Sequence, residues 1–137
     1  MEILKIGEEN HFEVIMRAVA ALREGKVLAV PTDTVYGLAV DATNDEAVER
    51  LFQIKKQEKG KQVPIMVDSM ERAKQIAFIE EKRLEDELVT QWPGAFTAVL
   101  YAREMVSSLA CGRGGLTIGV RIPDHRFLRD LIRAFGK

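Results

Sequence analysis

Residues 26–30 read Lys-Val-Leu-Ala-Val, and Pro31 stops the run. A segment this apolar does not alternate between core and solvent, so it reads as a short strand buried on both faces. Such a strand needs a layer on each side, and the flanking sequence offers helices. Ahead of it, Phe12, Ile15, Val19 and Leu22 recur at helical spacing, preceded by Asn10 and Glu13 at capping-box separation and followed by Gly25. Behind it, residues 32–43 read as a loop. Asn44 then opens a second helix, with an apolar stripe of Ala47, Leu51 and Ile54 beside Val48 and Phe52. Further strand signals run from Val63 to Val67, Thr97 to Tyr101 and Leu116 to Ile122. Between them fall a short helix capped by Ser69 and a longer one from about Glu80 to Gln91, which buries Leu84, Leu88 and Trp92. Asp124 stands where it would cap a last helix, with Phe127, Leu128, Leu131 and Ile132 facing inward. Strands mixed with helices, and no interdomain linker, predict one α/β sheet domain over residues 1–137.

Composition narrows the functional classes. With 47% apolar and 30% charged residues the chain is of ordinary globular type, and no apolar run approaches the roughly 20 residues that span a bilayer. The N-terminus lacks the basic-then-apolar order of a signal peptide. One cysteine, Cys111, has no partner for an intrachain disulfide, and two histidines do not make a common zinc site. A cytoplasmic protein with no membrane contact is expected. The net charge of −1 announces no global basic field, but the charges are segregated. Lys55, Lys56, Lys59 and Lys61 face a single Glu58, and Arg113, Arg121, Arg126, Arg129, Arg133 and Lys137 outnumber Asp124 and Asp130. An acidic stretch, residues 80–87, lies between these two regions. One basic face suited to phosphate groups is one expectation; solvated helix faces of differing sign is the other.

Familiar phosphate and hydrolase signatures are absent: there is no P-loop, no Gly-x-Gly-x-x-Gly after a strand, no His-Glu-x-x-His and no Gly-x-Ser-x-Gly. A nucleotide would have to be held by lysines, arginines, hydroxyls and free backbone N–H groups. The richest local signal is Val30 to Leu38, where a strand empties into a turn bearing two hydroxyls, a carboxylate and a phenol. Ligands of open α/β sheets often bind at strand ends. There Thr34 can hydrogen-bond a polar substrate and Tyr36 can offer a stacking face, or the threonines can simply bond local backbone. Arg121 ends a strand, as either a ligand cation or a solvated edge charge. His125, at a helix start, reads as structural, and Trp92 and Phe96 read as core.

Pro31-Thr32-Asp33-Thr34-Val35-Tyr36-Gly37-Leu38, directly after an apolar strand, resembles the signature of the YrdC-type domain of L-threonylcarbamoyl-AMP synthases and hydrogenase-maturation carbamoyltransferases. Four further stretches are similar to that family in order and spacing. They are Leu51-Phe52-Gln53-Ile54-Lys55-Lys56, Pro64-Ile65-Met66-Val67, Trp92-Pro93-Gly94-Ala95-Phe96-Thr97, and Thr117 to His125. The resemblance implies a YrdC-like open, twisted mixed sheet flanked by helices. It also implies a nucleotidyltransferase that joins L-threonine, bicarbonate and ATP, with Mg2+, into threonylcarbamoyl-AMP and pyrophosphate for the N6-threonylcarbamoyladenosine modification of tRNA. Thr34 and Arg121 would hold L-threonine. Lys55, Gln57, Lys61 and Thr117 would contact ATP, with Lys55 and Arg121 carrying the catalytic charge.

The sequence departs from the family pattern in two places. Gln57 stands where the family reads arginine in Lys-x-Arg, and Met66 stands where many members place a histidine. The family's C-terminal Ser-Ala-Asn motif is also not reached, so the fold is expected to be incomplete at that end. These departures keep a second reading open: a catalytically impaired nucleotide- or RNA-binding module of the same fold, touching tRNA or double-stranded RNA through a basic face, or completed by a second copy or a partner protein.

Overall fold

A computed structural model describes residues 4, 6–7, 9–55, 63–103 and 116–136, excluding the side chain of Lys55. Its elements follow in chain order as α1 (His11–Arg23), β1 (Leu28–Val30), β2 (Gly37–Ala39), α2 (Asp45–Lys55), β3 (Pro64–Met66), α3 (Met70–Ile76), α4 (Lys82–Gln91), β4 (Ala98–Tyr101), β5 (Thr117–Arg121) and α5 (Arg126–Phe135). The described strands form an antiparallel pair, β1-β2, and a mixed sheet in the order β3-β5-β4. In the mixed sheet β3 runs parallel to β5, with Met66 opposite Arg121, and β4 runs antiparallel to it, with Tyr101 opposite Thr117. This is the expected α/β architecture: a mixed sheet with helices packed against it.

The alternation of side chains along β5 divides the interior in two. Ile118 and Val120, with Ala98, Leu100 and Ile65, join a core shared with Val48 and Phe52 of α2, Ala73 and Ile76 of α3, and Leu88 and Trp92 from α4 and its end. Met66, on the opposite face, packs against a second core of Val14, Ile15, Val19 and Leu22 from α1, Val30 from β1, and Phe127, Leu128, Leu131 and Phe135 from α5. Each fully covered aliphatic side chain contributes about 1.5–3 kcal/mol relative to exposure. Thr117, Gly119 and Arg121 alternate onto the Met66 face.

Several local expectations need correction. Residues 26–30 are not buried on both faces: β1 covers only Leu28–Val30, Ala29 is exposed, and its described partner is β2, inside the stretch read as a loop. A Gly-Leu-Ala segment has little intrinsic strand signal, and pairing with β1 makes it one. Phe12 is exposed, because the inward stripe of α1 runs through His11 instead. The His11 ring meets the Phe127 edge at 5.7 Å, and its Nε2 lies 2.8 Å from Asp130 Oδ2. Ile54 is likewise exposed, and Leu84 is only half-buried.

The caps divide similarly. Asn44 and Ser69 accept from Ala47 N at 3.2 Å and Arg72 N at 3.2 Å, as expected. Asn10 instead turns back to accept from Gly7 N at 2.7 Å, so it makes no side-chain cap on α1. The cap of α5 is His125, whose Nδ1 accepts from Leu128 N at 3.3 Å, and not Asp124. Phe96 is 40% exposed, in contrast to Trp92, which is buried with its indole N–H donating to the Phe96 carbonyl at 2.9 Å.

Candidate functional site

Arg121 is the only buried arginine among the described residues, and it ends β5 where three loops meet. Its Nε donates to the carbonyl of Gly94 at 3.0 Å, reaching the loop after α4. Gly94 lies at φ 158°, and a Cβ there would stand 2.9 Å from the Gln91 carbonyl oxygen, so the close turn needs glycine. Arg121 Nη2 donates to Asp33 Oδ1 in an ion pair whose side chains are 11% and 12% exposed. The other oxygen of Asp33 accepts from the backbone N–H of Asp124 at 3.0 Å, at the approach to α5. One guanidinium and one carboxylate thus fasten the Pro31–Tyr36 turn, the Gly94 turn and the β5–α5 connection to one another.

Within the first of these loops the two threonines differ. The Thr32 hydroxyl donates to the Val35 carbonyl at 2.5 Å and accepts from Thr34 N at 3.1 Å, the local backbone bonding that a plain turn would show. Thr34 is exposed, its hydroxyl 3.0 Å from that of Thr32, and Tyr36 is exposed beside it. The structure therefore sets Thr34 next to the residue that grips Arg121. Thr117 lies at the far end of β5 on the same face as Arg121, about 13 Å back along the strand at ~3.3 Å per residue. Gly119 lies between them and carries no side chain. Val99 and Tyr101, opposite Gly119 and Thr117 on β4, are both exposed.

Lys55 is the last residue of α2, and its side chain lies outside the described residues, as do Gln57, Lys61 and Cys111 entirely. Two concavities, of about 580 and 390 Å³, are lined by residues of the α1–α5 and α4–β4 regions, and neither is lined by Thr34, Thr117 or Arg121. Of the expected basic face, Arg126 pairs with Asp130 at 3.8 Å and Arg133 with Asp68 at 3.3 Å, so acids offset both. Among the described residues no group of three His, Cys, Asp or Glu side chains could hold a metal ion, and no helix is long and apolar enough to cross a membrane. Sequence reasoning missed Asp33 as the partner of Arg121. The one available signal was a carboxylate set among hydroxyls in the turn.

The profile of the Sua5/YciO/YrdC family, described as telomere recombination, matches residues 20–137. The chain belongs to that family. Among its curated relatives, a threonylcarbamoyl-AMP synthase of Vibrio campbellii is 32% identical over 132 residues, covering 93% of this chain and 68% of the relative. Another, from Pyrococcus abyssi, is 35% identical over 132 residues, covering 95% of this chain and 38% of the relative. The solved structure of P. abyssi Sua5 complexed with L-threonine superposes with a TM-score of 0.84 at 32% identity, over 98% of this chain and 38% of that one. Escherichia coli YciO superposes at 0.83 with 25% identity, over 91% and 60%. The five motifs read from the sequence all fall within the matched span.

Proposed function

We propose that this chain is an L-threonylcarbamoyladenylate synthase, a nucleotidyltransferase that converts L-threonine, bicarbonate and ATP into threonylcarbamoyl-AMP, pyrophosphate and water. The observation that carries this reading is Arg121: a buried guanidinium oriented by two protein acceptors, one of them Asp33, the residue directly before the exposed Thr34. The similarity to Sua5 complexed with L-threonine supports it. Arg121 would take the threonine carboxylate through N–H groups not used by Gly94 or Asp33, and Thr34 would bond the same substrate. The threonine amine captures bicarbonate as a carbamate with loss of water. A carbamate oxygen then attacks the α-phosphorus of ATP, and the bond to pyrophosphate breaks. Thr117, Lys55, Gln57 and Lys61 would meet the nucleotide, and Mg2+ arrives as part of the ATP substrate, on its phosphates. Fixed cations at the phosphates stabilise the charge that gathers there, so no covalent enzyme intermediate is needed.

The test is pyrophosphate release from ATP, with L-threonine and bicarbonate omitted in turn. Release that requires both supports the reading, and release indifferent to threonine refutes it. The second reading, a nucleotide- or RNA-binding module, would use the α5 face, where the Arg126 and Arg133 side chains are 76% and 67% exposed although each also pairs with an acid. It predicts RNA affinity that falls steeply with salt, with no pyrophosphate release.

A further inference from the structure

We infer that Asp33 is the positioning residue of this site: it holds the Arg121 guanidinium in one orientation toward a ligand carboxylate. The inference rests on the function proposed above and assigns the residue that makes its threonine contact selective. A free arginine side chain carries rotamer entropy that a binding arginine loses unless it is already ordered. Here the ordering is done beforehand. The Gly94 carbonyl holds Nε and the Asp33 carboxylate holds Nη2, so the plane of the guanidinium is fixed at two points. Neither contact uses Nη1.

Asp33 is itself held. Its second oxygen accepts from Asp124 N at 3.0 Å, and the turn that carries it is closed by the Thr32 hydroxyl on Val35 and Thr34. Each oxygen of Asp33 already accepts from a protein donor, and the inferred role is exerted on the ligand through Arg121. Because Thr34 follows it directly, the same carboxylate also sets the separation between the arginine and the threonine hydroxyl. Asparagine does not reproduce this arrangement. Its NH2 group would face either Arg121 Nη2 or Asp124 N, both of which are donors.

The experiment compares the wild-type chain with Asp33→Asn, Arg121→Gln and the double variant, each first shown to be folded by circular dichroism. Nitrogen-15 NMR reads the Arg121 side chain directly. Hindered, slowly exchanging Nη–H signals in the wild type that become averaged in Asp33→Asn support the assignment, and identical signals in both overturn it. Calorimetry then reads L-threonine affinity. A loss of about ten- to a hundredfold in Asp33→Asn, with ATP affinity little changed, is the cost expected of misplacing a binding group by about an ångström. In the Arg121→Gln background the same substitution should add nothing, a non-additivity that a merely structural role would not produce. Wild-type threonine affinity in Asp33→Asn overturns the assignment. A wild-type chain that binds no threonine but shows a locked Arg121 refutes the proposed function while supporting the positioning of the guanidinium. Asp33→Ala, which introduces no opposing donor, replaces the asparagine variant if that chain does not fold.

Discussion

Replacing Arg121 with methionine should destabilise the fold far more than an ordinary ion-pair deletion. Methionine keeps much of the aliphatic stem, so the perturbation is chiefly electrostatic. It leaves the Asp33 carboxylate, 12% exposed, with the Asp124 N–H as its described donor, and it takes the Nε donor from the Gly94 carbonyl. Breaking a fully buried pair by removing one partner costs about 3–5 kcal/mol, because the remaining charge is neither paired nor hydrated, and this part-buried pair should fall toward the lower end of that range. The lost hydrogen bond to Gly94 adds about 1 kcal/mol. Urea unfolding measures the change, followed by far-UV circular dichroism and by the fluorescence of Trp92, the chain's one tryptophan, which is buried. The midpoint should fall while the slope holds, as for a change in stability without a change in exposed surface. The double variant Asp33→Asn/Arg121→Met should recover most of the loss, since no buried charge remains. Lys82→Met is the control: its pair with Asp86 spans 3.7 Å with side chains 87% and 64% exposed, and its removal should cost no more than about 0.5 kcal/mol. A cost below about 1 kcal/mol for Arg121→Met, the range of solvent-exposed pairs, would refute the reasoning and show that water reaches Asp33 freely.

Two further substitutions test the frame around the site. His125→Ala should cost about 1 kcal/mol through loss of the α5 cap, whereas Asp124→Ala, which keeps the backbone N–H bonded to Asp33, should stay within about 0.5 kcal/mol. Equal costs in thermal or urea unfolding would contradict the assignment of the cap. Leu51→Ala, at a side chain 1% exposed, should cost about 2–5 kcal/mol by urea unfolding, and a cost under 1 kcal/mol would mean that the α2 face collapses readily around the deleted atoms.

What the sequence determined alone is what short-range physics controls. The Asn44 and Ser69 caps act across three residues, and the stripes of α1 and α2 follow helical spacing, so these elements were legible without the fold. The run from Leu116 to Ile122 marked β5 as a strand, and the five motifs marked the family. Where the outcome depended on a distant neighbour, local reading failed. The first turn of α1 was settled by α5, which drew His11 inward and left Phe12 exposed. Residues 37–39 became a strand because β1 lay beside them. At the site, the reading found Arg121 and Thr34 as candidates but not what joins their loops. Asp33 and Arg121 stand 88 positions apart, and neither residue's local pattern specifies the other. Only folding brings the two charges into a space with little water, where each becomes the other's necessary partner.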